Sequence, residues 1–283
     1  MPLALILSSH VAGSRVGGFP QALALARLGV DPVLIPTVLF GRRPGLDTPP
    51  GGGAVGDALF RGMLQGVGDH GLHGLADAVV TGYFASADQV AAAAETIDAV
   101  RAASREGAAT PRPVIVVDPI LGDEPDGLYV KPEVAEAVAA LLLPRADVLT
   151  PNLWELRRLS SLPAAGPAGV IAAARSLSRP VLATSVDFSA GEIGGLWVDA
   201  DQAVAIRHLR LPSPPHGTGD LLAAVLAAGL IAGRSPGDAA VQAIRTAAEA
   251  VQAARDWSAP ELPLVGLAER LANPTAPVRV EIL

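Results

Sequence analysis

The chain has 283 residues, half of them hydrophobic, and 21 Lys and Arg against 28 Asp and Glu give a formal net charge of -7. That apolar content can bury a large core, which argues against disorder and suits one α/β domain, with or without a small flap. No basic run is present to track a nucleic-acid backbone, and the absence of cysteine excludes disulfides, thiolate zinc sites and a Cys nucleophile.

Residues 3–7 form an apolar run with no basic segment before it, so they read as a first strand rather than a signal peptide. Similar β-rich runs recur at 32–38, 78–81, 114–118, 148–150 and 181–185. Helix-like segments separate them, at 19–28, 87–105, 132–142 and 166–177. This alternation predicts a doubly wound, mainly parallel sheet in a three-layer α/β/α sandwich, a single domain over 1–283. "GRRPGLDTPPGGGAVGDALF", residues 41–60, is too rich in Gly and Pro for either element and is predicted as a loop. It reads equally as a lid with glycine hinges or as a surface insertion. His70 and His73 are read as surface residues of a polar segment. Over 191–209, two strand-like runs joined around 199–201 predict an antiparallel hairpin near the sheet edge. Residues 221–233 carry no charge but fall short of the roughly 18 residues a membrane span needs, so a buried helix is expected. Further helices are predicted at 236–257 and 261–271. A soluble cytoplasmic protein, without a membrane partner, is the expectation.

Ligands of open parallel sheets bind beyond the carboxyl ends of the strands. Polar residues cluster there: Ser8, Ser9 and His10; Thr37; Thr81, Gly82 and Tyr83; Asp118; Thr150 and Asn152; Thr184 and Ser185. Each alone reads as well as a turn or a cap, but their number points to a crevice. "PPHGTGDLLAAVLAAGL", residues 214–230, is different in kind. A glycine-rich turn feeding a helix leaves backbone N–H groups unpartnered at its positive end, which makes an anion site. Asp220 beside such a site is either an ordinary first-turn acid or a base that takes a proton while Gly217, Thr218 and Gly219 receive a phosphoryl group. "GSRVGG", residues 13–18, lacks dinucleotide spacing, and no G-x-x-x-x-G-K-[ST] occurs, which disfavours a dehydrogenase and a Walker-type ATPase. In "PNLWEL", Asn152 and Glu155 stand three apart at a helix start, where they reach a metal or its waters, or simply form a capping box.

In chain order, "SSHVAGSRVGG", "RLGVDPVLIPTVLF", "TGYFAS", "VVDPILGD", "LTPNLWEL" and "HGTGD" resemble the motifs of the ribokinase-like superfamily and, within it, of the pyridoxal kinases. The resemblance covers nearly the whole chain. It implies ATP-dependent phosphorylation of a primary hydroxyl, with Asp220 as base and the amides of Gly217, Thr218 and Gly219 stabilising the transferring phosphate. Asp118 and Glu155 would act through Mg²⁺ and its waters, and Thr150, Asn152, Thr184, Ser185 and Arg207 would line the nucleotide site. The vitamer would sit near Ser9, Val16, Thr37, Phe40, Tyr83 and Asp220. A potassium ion and a homodimer are usual in that family. The chain departs from the family after Phe40, where Gly41, Arg42, Arg43 and Pro44 replace the usual Ser-Asn-His-Thr, and Gly18 replaces an Asn. A related hydroxymethylpyrimidine kinase, another small-alcohol kinase of this fold, or a non-catalytic vitamer or nucleotide binder are the alternatives.

Overall fold

The computed structural model describes residues 1–124, 126–189 and 191–283. Strand β1 (Leu3–Val11) is almost wholly buried, and helix α1 (Gly18–Arg27) carries the chain back to the parallel strand β2 (Asp31–Phe40). β2 contains Pro32 and Pro36, which it tolerates because its outer edge is paired only from Val38 to Phe40, by the short antiparallel β3 (Gly52–Ala54). Helix α2 (Asp57–Asp69) and the single turn α3 (Leu72–Leu75) precede β4 (Ala76–Thr81), and α4 (Ala87–Ala102) leads to β5 (Val114–Val117). A two-stranded hairpin follows, β6 (Gly122–Asp123) and β7 (Gly127–Leu128), then α5 (Pro132–Ala137) and β8 (Val148–Leu149). Helices α6 (Leu153–Ser160) and α7 (Gly166–Ser176) lead to β9 (Val181–Ser189), β10 (Glu192–Val198) and β11 (Ala203–Leu209). Helices α8 (Thr218–Ile231) and α9 (Pro236–Asp256) and the edge strand β12 (Arg279–Ile282) complete the chain.

The main sheet has ten strands in the order β12-β11-β10-β9-β8-β5-β4-β1-β2-β3. Its six central strands, from β9 to β2, are parallel, and antiparallel strands extend both edges. Alternate residues of β1 feed two separate cores. Leu3, Leu5 and Leu7 pack with residues of α2, α4, α6 and α7, whereas Ala4 and Ile6 pack with α1, α8 and α9. Coverage on both faces explains why the parallel strands are apolar throughout instead of alternating. Helix α8 is buried on all sides between the sheet and its neighbours α1 and α9, so it needs no polar face. Burial of Leu221, Leu222, Val225 and Leu226 contributes about 1.5–3 kcal/mol each and anchors the helix whose first turn faces the site. Among the described residues no helix is long and apolar enough to cross a membrane.

Several expectations are corrected. The run at 41–60 is irregular only in part: β3 pairs back onto β2, and α2 has begun by Asp57. Residues 261–271 form successive turns instead of a continuous helix, with Gly266 weakening helix formation, although Leu262, Leu264, Leu267 and Leu271 still reach the core. The helix expected over 132–142 leaves α geometry at Val138 for a π-helical turn. His73 belongs to α3 and is half-buried, and burial lowers its pKa. β1 and β9 outrun their predicted ends: β1 continues to pair with β2 up to Phe40, and β9 with the β10 hairpin after β8 has stopped. Ser8, Ser9 and His10 therefore lie within β1 rather than after it, and β9 continues four residues past Ser185.

Candidate active site

From β1 the chain crosses to β2 on one side and later to β4 on the other, so a crevice opens at the carboxyl ends of β1 and β4. Backbones approach closely there. Gly82 N–H donates to Leu7 O at 2.8 Å, and a Cβ at Gly82 would collide with the Ser8 hydroxyl. Among the described residues, the buried Ser8, Thr81 and Thr150 hydroxyls and Asp220 Oδ1 have no hydrogen-bond partner. Four such orphans, at the ends of β1, β4 and β8 and in the first turn of α8, are groups that a ligand or ordered water satisfies.

Gly217 caps α8 in the left-handed region, φ 89° and ψ 4°, where a Cβ would also strike the Arg15 carbonyl oxygen. No side chain caps this helix, and among the described residues the N–H groups of Gly217, Thr218, Gly219 and Asp220 have no acceptor. Four free donors thus stand at the positive end of the helix dipole. The loop before α1 meets this turn. Gly17 N–H donates to Asp220 Oδ2 at 2.8 Å, with Gly17 itself at φ 67° and packed so closely on Ser9 that a Cβ has no room. One oxygen of Asp220 is thus held and the other is buried and free. Burial pushes this carboxyl up to about 6, with the Gly17 N–H pulling the other way. A carboxylate poised near neutrality, with one oxygen aimed by a backbone amide, is suited to accept a proton.

Asp118 follows β5 and is 6% exposed, and its Oδ2 lies 3.9 Å from the position of a Cβ at Gly219, facing the first turn of α8. Its pKa is raised well above the usual carboxylate range by burial first, then by the charges of Glu155 and Asp220, with Thr150 acting in the opposite sense. Three buried carboxylates concentrated this way favour a counter-cation. Glu155 is already occupied: Oε1 accepts from Leu121 N–H (2.7 Å) and Gly122 N–H (3.4 Å), and Oε2 from Asn152 N–H (2.9 Å). Asn152 completes a capping box by accepting from Glu155 N–H at 2.9 Å, and its amide donates to Gly122 O at 2.8 Å. The capping alternative for this pair is therefore present in full. Glu155 also clamps the turn after Asp118, in which the β-branched Ile120 is forced to φ 41°. Burial raises Glu155 to about 7 against those same N–H bonds.

Of the remaining expected residues, Val16, Phe40 and Tyr83 are half-buried around the crevice, and Ser9 is buried beneath Gly17. The Thr37 hydroxyl donates to Tyr83 O at 2.6 Å, bridging the ends of β2 and β4, so it positions the Tyr83 loop. Thr184 N–H donates to Pro151 O at 2.9 Å, and Ser185 is exposed at φ 58° on a bulge of β9 against β10. The Arg207 guanidinium pairs with Glu281 on β12 at 2.7 Å and stacks on Phe188, 4.7 Å from the ring centroid, while its buried Nε has no partner among the described residues. Arg42 is likewise engaged inside its own loop, with Thr48 and the Pro49 carbonyl. Two contacts escaped sequence reasoning, the Gly17 amide on Asp220 and Glu261 Oε2 accepting from Arg15 N–H at 3.1 Å. The glycine pair 17–18 signals the first, since it demands close approach without saying to what; nothing local signals the second.

A mainly parallel sheet with a buried carboxylate and a glycine-walled, uncapped helix N-terminus at its switch point fits a ribokinase-like phosphotransferase with an alcohol group as acceptor. The sequence profile of the family described as phosphomethylpyrimidine kinase matches residues 76–263. A pyridoxine/pyridoxal/pyridoxamine kinase of Bordetella avium is 36% identical over 236 residues, covering 81% of this chain and 77% of the relative. A pyridoxal kinase of Rubrobacter xylanophilus is 30% identical over 287 residues, covering 98% and 96%. The solved pyridoxal kinase from Leishmania donovani, in complex with ADP and pyridoxamine, superposes with a TM-score of 0.91 at 27% identity over 100% of both chains. The chain belongs to the pyridoxal kinase family of the ribokinase-like superfamily.

Proposed function

We propose that the protein transfers the γ-phosphoryl group of ATP to the primary 5′-hydroxyl of pyridoxal or a related vitamin B6 vitamer. The single observation that carries this is Asp220, held through Oδ2 by Gly17 N–H with Oδ1 free, in the same helical turn as the four free N–H groups of Gly217, Thr218, Gly219 and Asp220. Oδ1 takes the proton from the vitamer hydroxyl, and the hydroxyl oxygen attacks the γ-phosphorus in line while the bond to the β-phosphate oxygen breaks. The four amides neutralise the charge that spreads over the transferring group, and because they are fixed by the helix they need no reorganisation. The binding of ADP and pyridoxamine by the Leishmania relative supports this assignment of both substrates.

The vitamer lies against Ser9, Val16, Thr37, Phe40 and Tyr83, and the nucleotide against Thr150, Asn152, Thr184 and Ser185. Asp118 fits Mg²⁺: it is buried, it faces the cradle, and it shares a field of three carboxylates. Among the described residues no group of three or more His, Cys, Asp or Glu is arranged to hold a metal, which suits an ion carried largely by phosphates and waters. Mg²⁺ bound there would supply charge neutralisation for the triphosphate, and Glu155, with a lone pair left on Oε2, would act on it through water. Potassium and a homodimer are carried over from the family resemblance; from the sequence we read 1–283 as a single kinase domain and the protein as cytoplasmic, and we read the segment between β2 and β3 as a lid.

One observation favours a second acceptor: the stretch after Phe40 reads Gly41, Arg42, Arg43, Pro44 where pyridoxal kinases carry Ser-Asn-His-Thr, and the matching family profile is described for a pyrimidine substrate. A coupled ADP-release assay over pyridoxal, pyridoxine, pyridoxamine and hydroxymethylpyrimidine decides. Turnover with a B6 vitamer is expected; turnover with the pyrimidine alone selects the second acceptor, and none with any of the four rejects both.

A further inference from the structure

The side chain of Gln89, in the first turn of α4, is 1% exposed and fully hydrogen-bonded. Its Nε2 donates to Thr37 O at 2.9 Å and to Val55 O at 2.8 Å, and its Oε1 accepts from Ala85 N–H at 2.9 Å. Thr37 precedes the 41–51 segment and Val55 follows it, and Val55 N–H itself donates to Thr37 O at 2.9 Å. One amide therefore cinches both legs of that segment. Ala85 lies two residues beyond Tyr83, whose carbonyl is already held by the Thr37 hydroxyl at 2.6 Å. A third strut completes the joint: Ser86, the N-cap of α4, donates to Asp57 Oδ1 at 2.5 Å, in the first turn of α2.

We propose that Gln89 is a positioning residue for the acceptor substrate, fastening the base of the 41–51 segment to the Tyr83 loop so that the two sides of the vitamer pocket hold one fixed spacing. The inference rests on the assignment of Tyr83 and Phe40 to the vitamer side. A buried amide that fills all its donor and acceptor roles resists substitution by any other residue type, since each replacement orphans at least one of three backbone groups. Asn has the same groups but is one methylene too short to reach both legs. The nucleotide side is built from β8, β9 and α8, which the amide does not touch, so its effect falls on one substrate.

The test uses Gln89→Met, close in volume, and Gln89→Glu, which turns the two-carbonyl donor into an acceptor until it is protonated. For both, the KM for the vitamer is expected to rise about tenfold or more, as the loss of one or two buried hydrogen bonds dictates, with the KM for ATP within about twofold. Limited proteolysis should cut the 41–51 segment faster than in the wild type. In Gln89→Glu the vitamer KM should recover as pH falls from 8 to 6, a signature that loss of packing alone does not produce. Equal changes in both KM values, or an unchanged proteolysis rate, overturn the proposal. Should neither variant fold, amide hydrogen exchange of the wild type still decides: Val55 and Ala85 must exchange at matching rates and be slowed together by vitamer, and unequal responses overturn it. Wild-type enzyme inactive on every vitamer but showing that shared protection would refute the substrate assignment while keeping the joint.

Discussion

Replacing Asp220 by Asn separates what this carboxylate contributes to the reaction from what it costs the fold. Asn keeps the size and the acceptor for Gly17 N–H but puts an amide nitrogen where Oδ1 stands free, so proton acceptance is abolished. Loss of a general base predicts a fall in kcat of about 10²–10⁴-fold, with ATP binding close to normal. Stability should move the opposite way. Burial raises the carboxyl from an ordinary 3.8 to about 6. Because the folded value lies above the unfolded one, the ionised group destabilises the fold, by nothing below pH 4 and in full above pH 6. About two units correspond to roughly 3 kcal/mol, from which the unpartnered amide of Asn subtracts about 1. The net gain of about 2 kcal/mol corresponds to a rise in Tm of roughly 4–8 °C at pH 7.5, whereas at pH 4 only the amide cost of about 1 kcal/mol remains and Tm should fall by roughly 2–4 °C. Coupled ADP release and thermal melts at both pH values measure the two halves. Unchanged turnover, or a variant no more stable than the wild type at pH 7.5, would refute the reasoning.

The same ionisation sets the pH profile: kcat/KM for the free enzyme should climb about tenfold per pH unit up to roughly pH 6 and level off above it, and a profile already flat at pH 5 would count against Asp220 as base. Gly217→Ala forces a side chain into the left-handed region and onto the Arg15 carbonyl, so it should lower stability by about 1–3 kcal/mol in chemical denaturation. Gly219→Ala meets only Asp118 Oδ2 at 3.9 Å and should melt within about 0.5 kcal/mol of the wild type while lowering kcat, because its methyl group faces the phosphoryl path. Arg207→Ala breaks the pair with Glu281 and the stack on Phe188; a loss of about 1 kcal/mol is expected, with the KM for ATP changed less than about threefold if the pair is structural, and a larger rise would assign Arg207 to the nucleotide site.

The sheet and the glycine-walled helix mouth were legible because they are local patterns. Apolar runs separated by helical periods specify a parallel sheet wherever both faces are covered, and glycines at 217 and 219 before an uncharged helix specify an anion site whatever surrounds it. The irregularity over 41–60 was legible by composition, but β3 was not, since three residues of glycine and alanine carry no β signal and form a strand only because β2 presents an open edge. The turns at 261–271 were misjudged for a related reason. The spacing of Leu264, Leu267 and Leu271 matches a helix, yet the segment forms separate turns around Gly266 while the leucines are received by the core.

By itself, then, the order of residues determined the layer architecture and the glycine-walled helix mouth with Asp220 in its first turn, because each depends on neighbours within one turn or one strand. Tertiary structure alone decided which oxygen of Asp220 is free, since Gly17 stands 203 residues away in sequence. It likewise decided that Glu155 spends its oxygens on backbone amides, that Arg207 faces Glu281, and that Gln89 joins Thr37, Val55 and Ala85. A polar side chain can be recognised as needing partners from its chemistry, but which partners satisfy it depends on segments that only folding brings within 3 Å.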